Sequence, residues 1–390
     1  MILRMILMFA VMEVYMSKLK LMTIIGTRPE IIKLSEIIKK CDEFFDHIIV
    51  HTGQNYDYSL NQIFFEDLGL REPDYYLNVV GENLGETIGN IITKSYELID
   101  ELKPEALLIL GDTNSGLSVI SAKRLKVPVF HLEAGNRCFD ENLPEEINRK
   151  IIDHTSDINL CYTEHARRYL FNEGISKERV FVIGSPMIEV IEKHKEKIEN
   201  SKILESYNLE KGKYIVLSAH REENIDNPKN FACLIESINS IANFYNIPII
   251  YSLHPRSKKM IEQRGVKLSE KIKPITPLSF SDYITLQKKS FCVLSDSGTL
   301  AEEASIFKFP AISLRTSTER PEAIDKGNFV IGNLKTDSIL QAINMVTQLN
   351  SNGKIGQDVP DYTDSNVSTK VVKIIQSYTS LVNLMVWRKD

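Results

Sequence analysis

The chain has 390 residues, 43% hydrophobic and 25% charged, with a formal net charge of −5. That length and balance fit two ordinary domains with sizeable cores and exclude a disordered or fibrous protein. Mild acidity supplies no overall basic field for nucleic acid, and five scattered cysteines without a CxxC pair give neither a disulfide framework nor a zinc knuckle, which points to a reducing cytoplasm.

In chain order, MILRMILMFAVMEVY (1–15) comes first. It is apolar but broken by Glu13, too short to span a bilayer, and followed by no small-residue cleavage site, so it reads as a non-structural extension rather than a membrane or targeting segment. Apolar β-branched runs then recur at 18–26, 47–53, 106–112, 127–135, 158–163 and 180–186, separated by segments of helical spacing such as EIIKLSEIIKK. Continuous apolar runs alternating with helices predict a parallel sheet covered on both faces, hence an α/β, doubly wound domain over 16–190. A charged helical stretch leads into a second series at 213–220, 247–255, 291–298, 309–314 and 329–333, which predicts a second such domain over 191–365. The amphipathic stretch 366–390 predicts a closing helix whose own pattern does not choose between the domains.

Ligands of open α/β sheets bind beyond the carboxyl ends of the strands, and two facing domains place those edges on a shared cleft. The polar residues after the strands are therefore the candidates. In GTRPEIIKL, Arg28 opens a helix whose first turn already carries partial positive charge, so an anion is needed to make it welcome. Lys33 follows one turn later. GDT gives Asp112, which could equally cap the next helix. HLEAG gives Glu133, a strand-end carboxylate that is costly to bury idle. LPEE gives Glu145 and Glu146, which in isolation are first-turn acids complementing a helix dipole. His131 and His254 read as core histidines, and Cys138 as a small buried hydrophobe.

The second half offers His220 and Arg221 in SAHREEN, and Arg320 in TSTERPEA. SDSGTLAEE is its most informative stretch: small residues with free N–H groups follow a strand and open a helix, an arrangement that holds phosphate. Glu303 lies about one and a half turns in, within reach of a ribose. A diphosphate held between Arg28, Arg320 and the helix start at Ser297 and Gly298 would account for the odd arginine. Neither GxGxxG nor GxxxxGK[ST] occurs, so nothing suggests NAD or a P-loop.

Taken together and in order, GTRPE, GDT, EAG, PEE followed by NR, SDSG with EE, and ERPEA resemble the non-hydrolysing UDP-N-acetylglucosamine 2-epimerase family, from about Met16 to the C-terminus. The resemblance implies a GT-B-like fold, two Rossmann-like domains facing a central cleft, with the C-terminal helix returning to the first domain. It implies no cofactor and no metal, a UDP-activated N-acetylated amino sugar as substrate, no nucleic-acid or membrane partner, a homodimer and a cytoplasmic location. Asp112, Glu133 and Glu145 fall on the family's catalytic acids, and Lys33 and His220 on further active-site positions. Arg28, Ser297, Gly298 and Glu303 fall on the UDP site, Tyr283 falls where an aromatic ring stacks on uracil, and Arg320 is added on charge grounds.

Two stretches depart from the common pattern, TGQNYDYSL and NRCFDENLPEE. EAGNRCFD with PEEINRKIIDH is similar to the branch that makes UDP-N-acetyl-L-fucosamine from UDP-2-acetamido-2,6-dideoxy-L-talose for capsule or O-antigen. On that reading Arg137, Cys138 and Phe139 are the candidates for sugar specificity, Cys138 and Phe139 supplying an apolar contact for a sugar without a 6-hydroxyl. The competing expectations are UDP-GlcNAc/UDP-ManNAc epimerisation by the same chemistry, a GT-B glycosyltransferase, a hydrolysing epimerase and a non-catalytic nucleotide-sugar sensor.

Overall fold

The computed structural model describes residues 17–53 and 62–389; the extension at 1–15 and residues 54–60 of TGQNYDYSL lie outside them. In the first half, β1 (Lys20–Ile25), β2 (Asp46–His51), β3 (Tyr75–Tyr76), β4 (Ala106–Leu110), β5 (Val129–Leu132), β6 (Ile158–Cys161) and β7 (Val180–Val182) form one parallel sheet in the order β3-β2-β1-β4-β5-β6-β7. The order reverses at β1, so the loops after β1 and β4 diverge and leave a crevice beyond their carboxyl ends. In the second half, β8 (Ile215–Ser218), β9 (Ile249–Ser252), β10 (Ile272–Ile275), β11 (Cys292–Ser295), β12 (Ala311–Ser313) and β13 (Val330–Ile331) form a parallel sheet in the order β10-β9-β8-β11-β12-β13, with its own reversal at β8 and β11. The fold is thus α/β with two Rossmann-like sheets.

The continuous apolar runs are explained by burial on both faces. In β1, Leu21 and Ile25 join one core cluster while Met22 and Ile24 join the cluster on the opposite face. In β8, Ile215 and Leu217 face one layer and Val216 the other. This is the period-two alternation of a strand with helices above and below it.

The helices that bear on the site are, in chain order, α1 (Arg28–Phe44), α2 (Pro144–Thr155), α3 (Met187–Lys193), α4 (Phe280–Lys288), α5 (Leu300–Phe307) and α6 (Val367–Met385). The last of these packs against α1: Val367, Val371 and Ile375 share a cluster with Ile31, Leu34 and Ile38. Glu189 of α3 accepts from the backbone N–H of Ser368 at 2.8 Å, which fixes where α6 begins. Met187, Val190 and Ile198 enter the same cluster beside Phe280 and Ile284, so the crossing segment is packed against both halves of the chain. No helix among the described residues is long and apolar enough to cross a membrane.

Candidate active site

The start of α1 is fixed by its own third residue. Glu30 folds back so that Oε2 accepts from the N–H groups of Gly26 (2.9 Å) and Thr27 (2.6 Å), satisfying donors that a helix N-terminus otherwise leaves open. Its Oε1 accepts from Thr113 Oγ1 (3.0 Å) and Ser115 Oγ (2.5 Å), which ties the end of β1 to the loop after β4. Arg28 is thereby held at the crevice with its guanidinium 5.7 Å from the centre of the Phe64 ring.

Arg28 enters a recess of about 60 Å³ shared with Ser218, Tyr283, Ser297, Thr299 and Glu303 from the second half. Burial lowers its proton affinity, with Tyr283 and Glu303 opposing that change. Glu303 is fixed by Gln287 of α4, whose amide donates to Oε2 at 2.7 Å, and burial raises its carboxyl above the usual range. A ring, a carboxylate, a guanidinium and a helix start thus converge, the set of groups that a nucleoside diphosphate requires.

The recess opens into a cleft of about 370 Å³ lined by Lys33, Asp112, Glu133, Glu145, His220, Arg221, His254, Gly298 and Glu319, among others. At its base Lys33 Nζ lies 2.6 Å from Glu133 Oε2, and Arg320 Nη2 is bonded to Glu133 Oε1. Burial alone would raise the Glu133 carboxyl, but Lys33 and then Arg320 outweigh it and hold it down to about 2. Glu133 also has φ of 66°, a left-handed conformation that a side-chain-bearing residue seldom adopts.

Asp112 does not act as a cap: its Oδ2 accepts from Arg149 Nε (2.8 Å) and lies 2.6 Å from Nη2. Glu145 and Glu146, adjacent on α2, point to different tasks. Glu145 faces the cleft, 3.7 Å from Arg221 Nη1, whereas buried Glu146 accepts from Arg149 Nη1 (2.8 Å) and from the N–H groups of Cys138 and Phe139 (3.1 Å each). Arg149 also comes within 3.9 Å of Glu319, which is bonded to Arg315 at 2.7 Å. Burial would raise the Glu319 carboxyl, yet Arg315, Arg149, Arg221 and Arg320 together hold it well below the usual range.

His220 and His254 stack with centroids 5.6 Å apart at 29°. Asp296 supports the pair, accepting from the N–H groups of His220 (2.9 Å) and Arg221 (3.0 Å). Burial lowers both imidazoles; His254, which also faces His220, Arg28 and Arg256, is brought down to about 4. The folded protein therefore binds fewer protons than the unfolded chain below the ordinary histidine value of 6.5, so this part of the stability is present above pH 6.5 and is lost as pH falls towards 4. Urea midpoints measured at pH 7 and pH 5 are expected to fall with acid in the native sequence and to fall less in His254→Asn.

Asp112, Glu133, Glu145, His220 and Lys33 are thus gathered on one cleft, with Arg28, Tyr283, Ser297 and Glu303 on its recess; Gly298 lines the cleft wall and Arg320 reaches its base through Glu133. Two expectations need correction. His254 is a cleft residue, not a core one; His131 is the core histidine, its ring nitrogens 2.9 Å from Asp153 Oδ1 and 2.8 Å from the Gly111 carbonyl oxygen. Arg137, Cys138 and Phe139 line neither the cleft nor the recess. Arg137 is buried against Asp153 (2.7 Å) and Glu173 (2.6 Å), Cys138 sits on Glu146 (3.3 Å), and Phe139 is 67% exposed with its ring edge-on to Tyr169. The chain turns away from the cleft after Glu133 because Gly135 takes φ of 81°, and a side chain there would meet the Ala166 carbonyl oxygen at 2.5 Å.

Arg149, Glu319 and Glu302 escaped notice in the sequence. Arg149 has Glu146 three residues away and Glu319 has Arg315 four residues away, a pairing signalled by the charges in PEEINR and RTSTER, but Asp112, Arg221 and the Glu302 partners Lys33 and Ser185 lie far along the chain. Gly298 matters here through space: a Cβ on it would lie 2.5 Å from Glu319 Oε1. Gly298→Ala is expected to displace Glu319 from its arginines, costing about 1–3 kcal/mol of stability by urea titration. Affinity for a nucleoside diphosphate, measured by calorimetry, should weaken by roughly tenfold, about 1.4 kcal/mol.

A family model described as UDP-N-acetylglucosamine 2-epimerase matches residues 39–376. The solved UDP-N-acetylglucosamine 2-epimerase from Rickettsia bellii is 46% identical, with a TM-score of 0.87 over 95% of this chain and 100% of that one. The Methanocaldococcus jannaschii UDP-GlcNAc 2-epimerase, solved in complex with UDP-GlcNAc and UDP, is 34% identical with a TM-score of 0.86 over 92% of this chain and 100% of that one. A Pseudomonas aeruginosa UDP-2,3-diacetamido-2,3-dideoxy-D-glucuronate 2-epimerase is 36% identical over 330 residues, 83% of this chain and 91% of that protein.

Proposed function

The chain belongs to the UDP-N-acetylglucosamine 2-epimerase family of non-hydrolysing isomerases, and from that premise we propose that it inverts C2 of a UDP-activated 2-acetamido sugar by eliminating UDP to a glycal and adding it back. The observation that carries this reading is the continuity between the diphosphate-type recess at Arg28, Ser297 and Glu303 and the cleft holding Asp112, Glu133 and Glu145.

A C2 proton beside an acetamido group is barely acidic, so abstraction must follow, or nearly follow, loss of the anomeric oxygen. Departing UDP is stabilised by Arg28 and by the N–H groups ahead of α5, whereas Arg320, expected at the UDP site, is buried against Glu133 and Glu302 and lines neither the recess nor the cleft. Oxocarbenium character then acidifies the C2 proton, one carboxylate removes it, and another acid returns a proton to the opposite face after the glycal turns. Uracil stacks on Tyr283 and the ribose bonds to Glu303.

The finer reading takes UDP-2-acetamido-2,6-dideoxy-L-talose as substrate and UDP-N-acetyl-L-fucosamine as product. Its support is the pairing of EAGNRCFD with PEEINRKIIDH. Through Glu146 and Arg149 these stretches set the wall that carries Asp112 and Glu145, so they act on the sugar by shaping the cleft rather than by touching it. UDP-GlcNAc is the second reading, favoured by the outward placement of Phe139 and by the relatives named for that substrate.

Proton NMR in deuterated buffer, with each UDP-sugar in its own tube, separates them. Loss of the C2 proton signal with appearance of the fucosamine isomer in the L-talose tube alone is the expected result. Exchange only with UDP-GlcNAc selects the second reading, and exchange in neither overturns the epimerase reading for both sugars.

A further inference from the structure

Behind Glu133 sits a second carboxylate that lines neither the cleft nor its recess. Glu302 is the third residue of α5 and its side chain is fully buried. Oε1 accepts from the Ser185 hydroxyl, in the loop after β7. Oε2 lies 3.4 Å from Lys33 Nζ and 3.4 Å from Arg320 Nη2, the same two atoms that hold Glu133. Glu133, Lys33, Glu302 and Arg320 therefore alternate in sign around a closed ring, two members from each half of the chain. The Tyr162 ring lies against both cations, with centroid distances of 5.6 Å to Lys33 Nζ and 5.4 Å to Arg320 Cζ.

The charge balance of this ring bears on proton transfer. With both acids ionised it is neutral, and a proton on Glu133 leaves one uncompensated positive charge. Were Glu302 uncharged, the same proton would leave two buried cations with no anion in the ring, at several times the desolvation cost of one. Glu319 and the Tyr162 phenol also bear on Glu133. Glu302 therefore shares the two cations that would otherwise bind Glu133 alone.

We infer that Glu302 is a positioning residue that sets the proton affinity of Glu133, dividing Lys33 and Arg320 with it so that Glu133 can take up a proton and give it back within one turnover. The inference rests on the epimerase reading, in which Glu133 is one of the proton-transferring acids. It makes Glu302 necessary for the chemical step although it touches no substrate.

The test compares native protein with Glu302→Gln, using the UDP-sugar that shows C2 exchange and its C2-deuterated form. The expected result is a fall in kcat of about 10- to 100-fold with KM and the Kd for UDP within threefold of native, and a larger primary isotope effect because proton removal has slowed. The double variant with Glu133→Gln should be no slower than Glu133→Gln alone, within twofold. A variant with native kcat but weakened UDP binding and a lower unfolding midpoint would overturn the inference, leaving Glu302 a purely structural brace. Should Glu302→Gln fail to fold, Ser185→Ala loosens the same carboxylate while keeping its charge; kcat lowered three- to tenfold at unchanged UDP affinity is expected, and native kcat overturns the inference. Absence of exchange in the native protein would overturn the epimerase reading itself, whereas native exchange with Glu302→Gln within threefold overturns only the role given to Glu302.

Discussion

Glu133→Gln is expected to lower the rate of C2 exchange by about 10²- to 10⁴-fold, the range that one general acid–base group supplies. The substitution conserves volume and leaves an acceptor for Lys33, so the binding recess should survive and the Kd for UDP should change by less than threefold. What disappears is the proton carrier, together with one of the two anions that hold Lys33 and Arg320. A stability effect accompanies it. The folded carboxyl titrates near 2 against an ordinary value of 4.5, so its contribution is fully present above pH 4.5 and is lost as pH falls towards 2. The variant should therefore be less stable than native protein at pH 7, with a gap that narrows below pH 4.5. Rates by NMR in deuterated buffer and urea midpoints at both pH values check the two parts separately. Exchange within tenfold of native would remove Glu133 from the proton-transfer path.

Arg149→Met carries the largest expected cost in stability. This one guanidinium holds Asp112 at 2.6 Å and Glu146 at 2.8 Å and reaches Glu319 at 3.9 Å, and its own side chain is only 3% exposed. Methionine fills similar space but leaves two buried carboxylates, Glu146 and Glu319, short of a partner, and breaking buried pairs of this kind costs about 3–5 kcal/mol. The loss should be largest at neutral pH, because protonating the stranded acids relieves it. Activity should fall with it, since Asp112 loses the fork that orients it. Arg149→Lys is expected to recover part of the stability and little of the activity, because a single ammonium cannot serve Asp112 and Glu146 with the planar geometry now present. Equal activity in Lys and native forms would show that Asp112 needs only a nearby charge.

The architecture was legible wherever burial on both faces forces a continuous apolar run, as in ALLIL and VFHL. The two strands without such a run, Tyr75–Tyr76 and Ile272–Ile275, lie at the sheet edges. There Tyr75 and Tyr76 are exposed, Pro274 interrupts the second run, and an edge strand tolerates both. Strand-end positions located Asp112, Glu133, His220 and Ser297 because the carboxyl edge of a parallel sheet is where the backbone aims residues at a ligand. Arg137, expected at the sugar with Cys138 and Phe139, lies four residues past Glu133, and the turn at Gly135 sends the chain beneath the cleft wall. Arg149, Glu302 and Glu319 lay beyond that rule altogether: a helix interior or a loop gives no local sign of which distant acid or base it will meet.

The left-handed backbone at Glu133 sets a limit on how this protein can be improved. Holding a branched-off side chain at φ of 66° costs about 1 kcal/mol or more, and glycine would relieve it. An effort to raise thermal tolerance by repairing unfavourable backbone positions would therefore reach Glu133→Gly early and obtain an inert protein that is no sturdier, because the anion between Lys33 and Arg320 is lost together with the strain. Tolerance has to be sought elsewhere, for instance at Lys103, where the same left-handed geometry closes a helix at its far end from the cleft and glycine would give up only an exposed ion pair with Asp100.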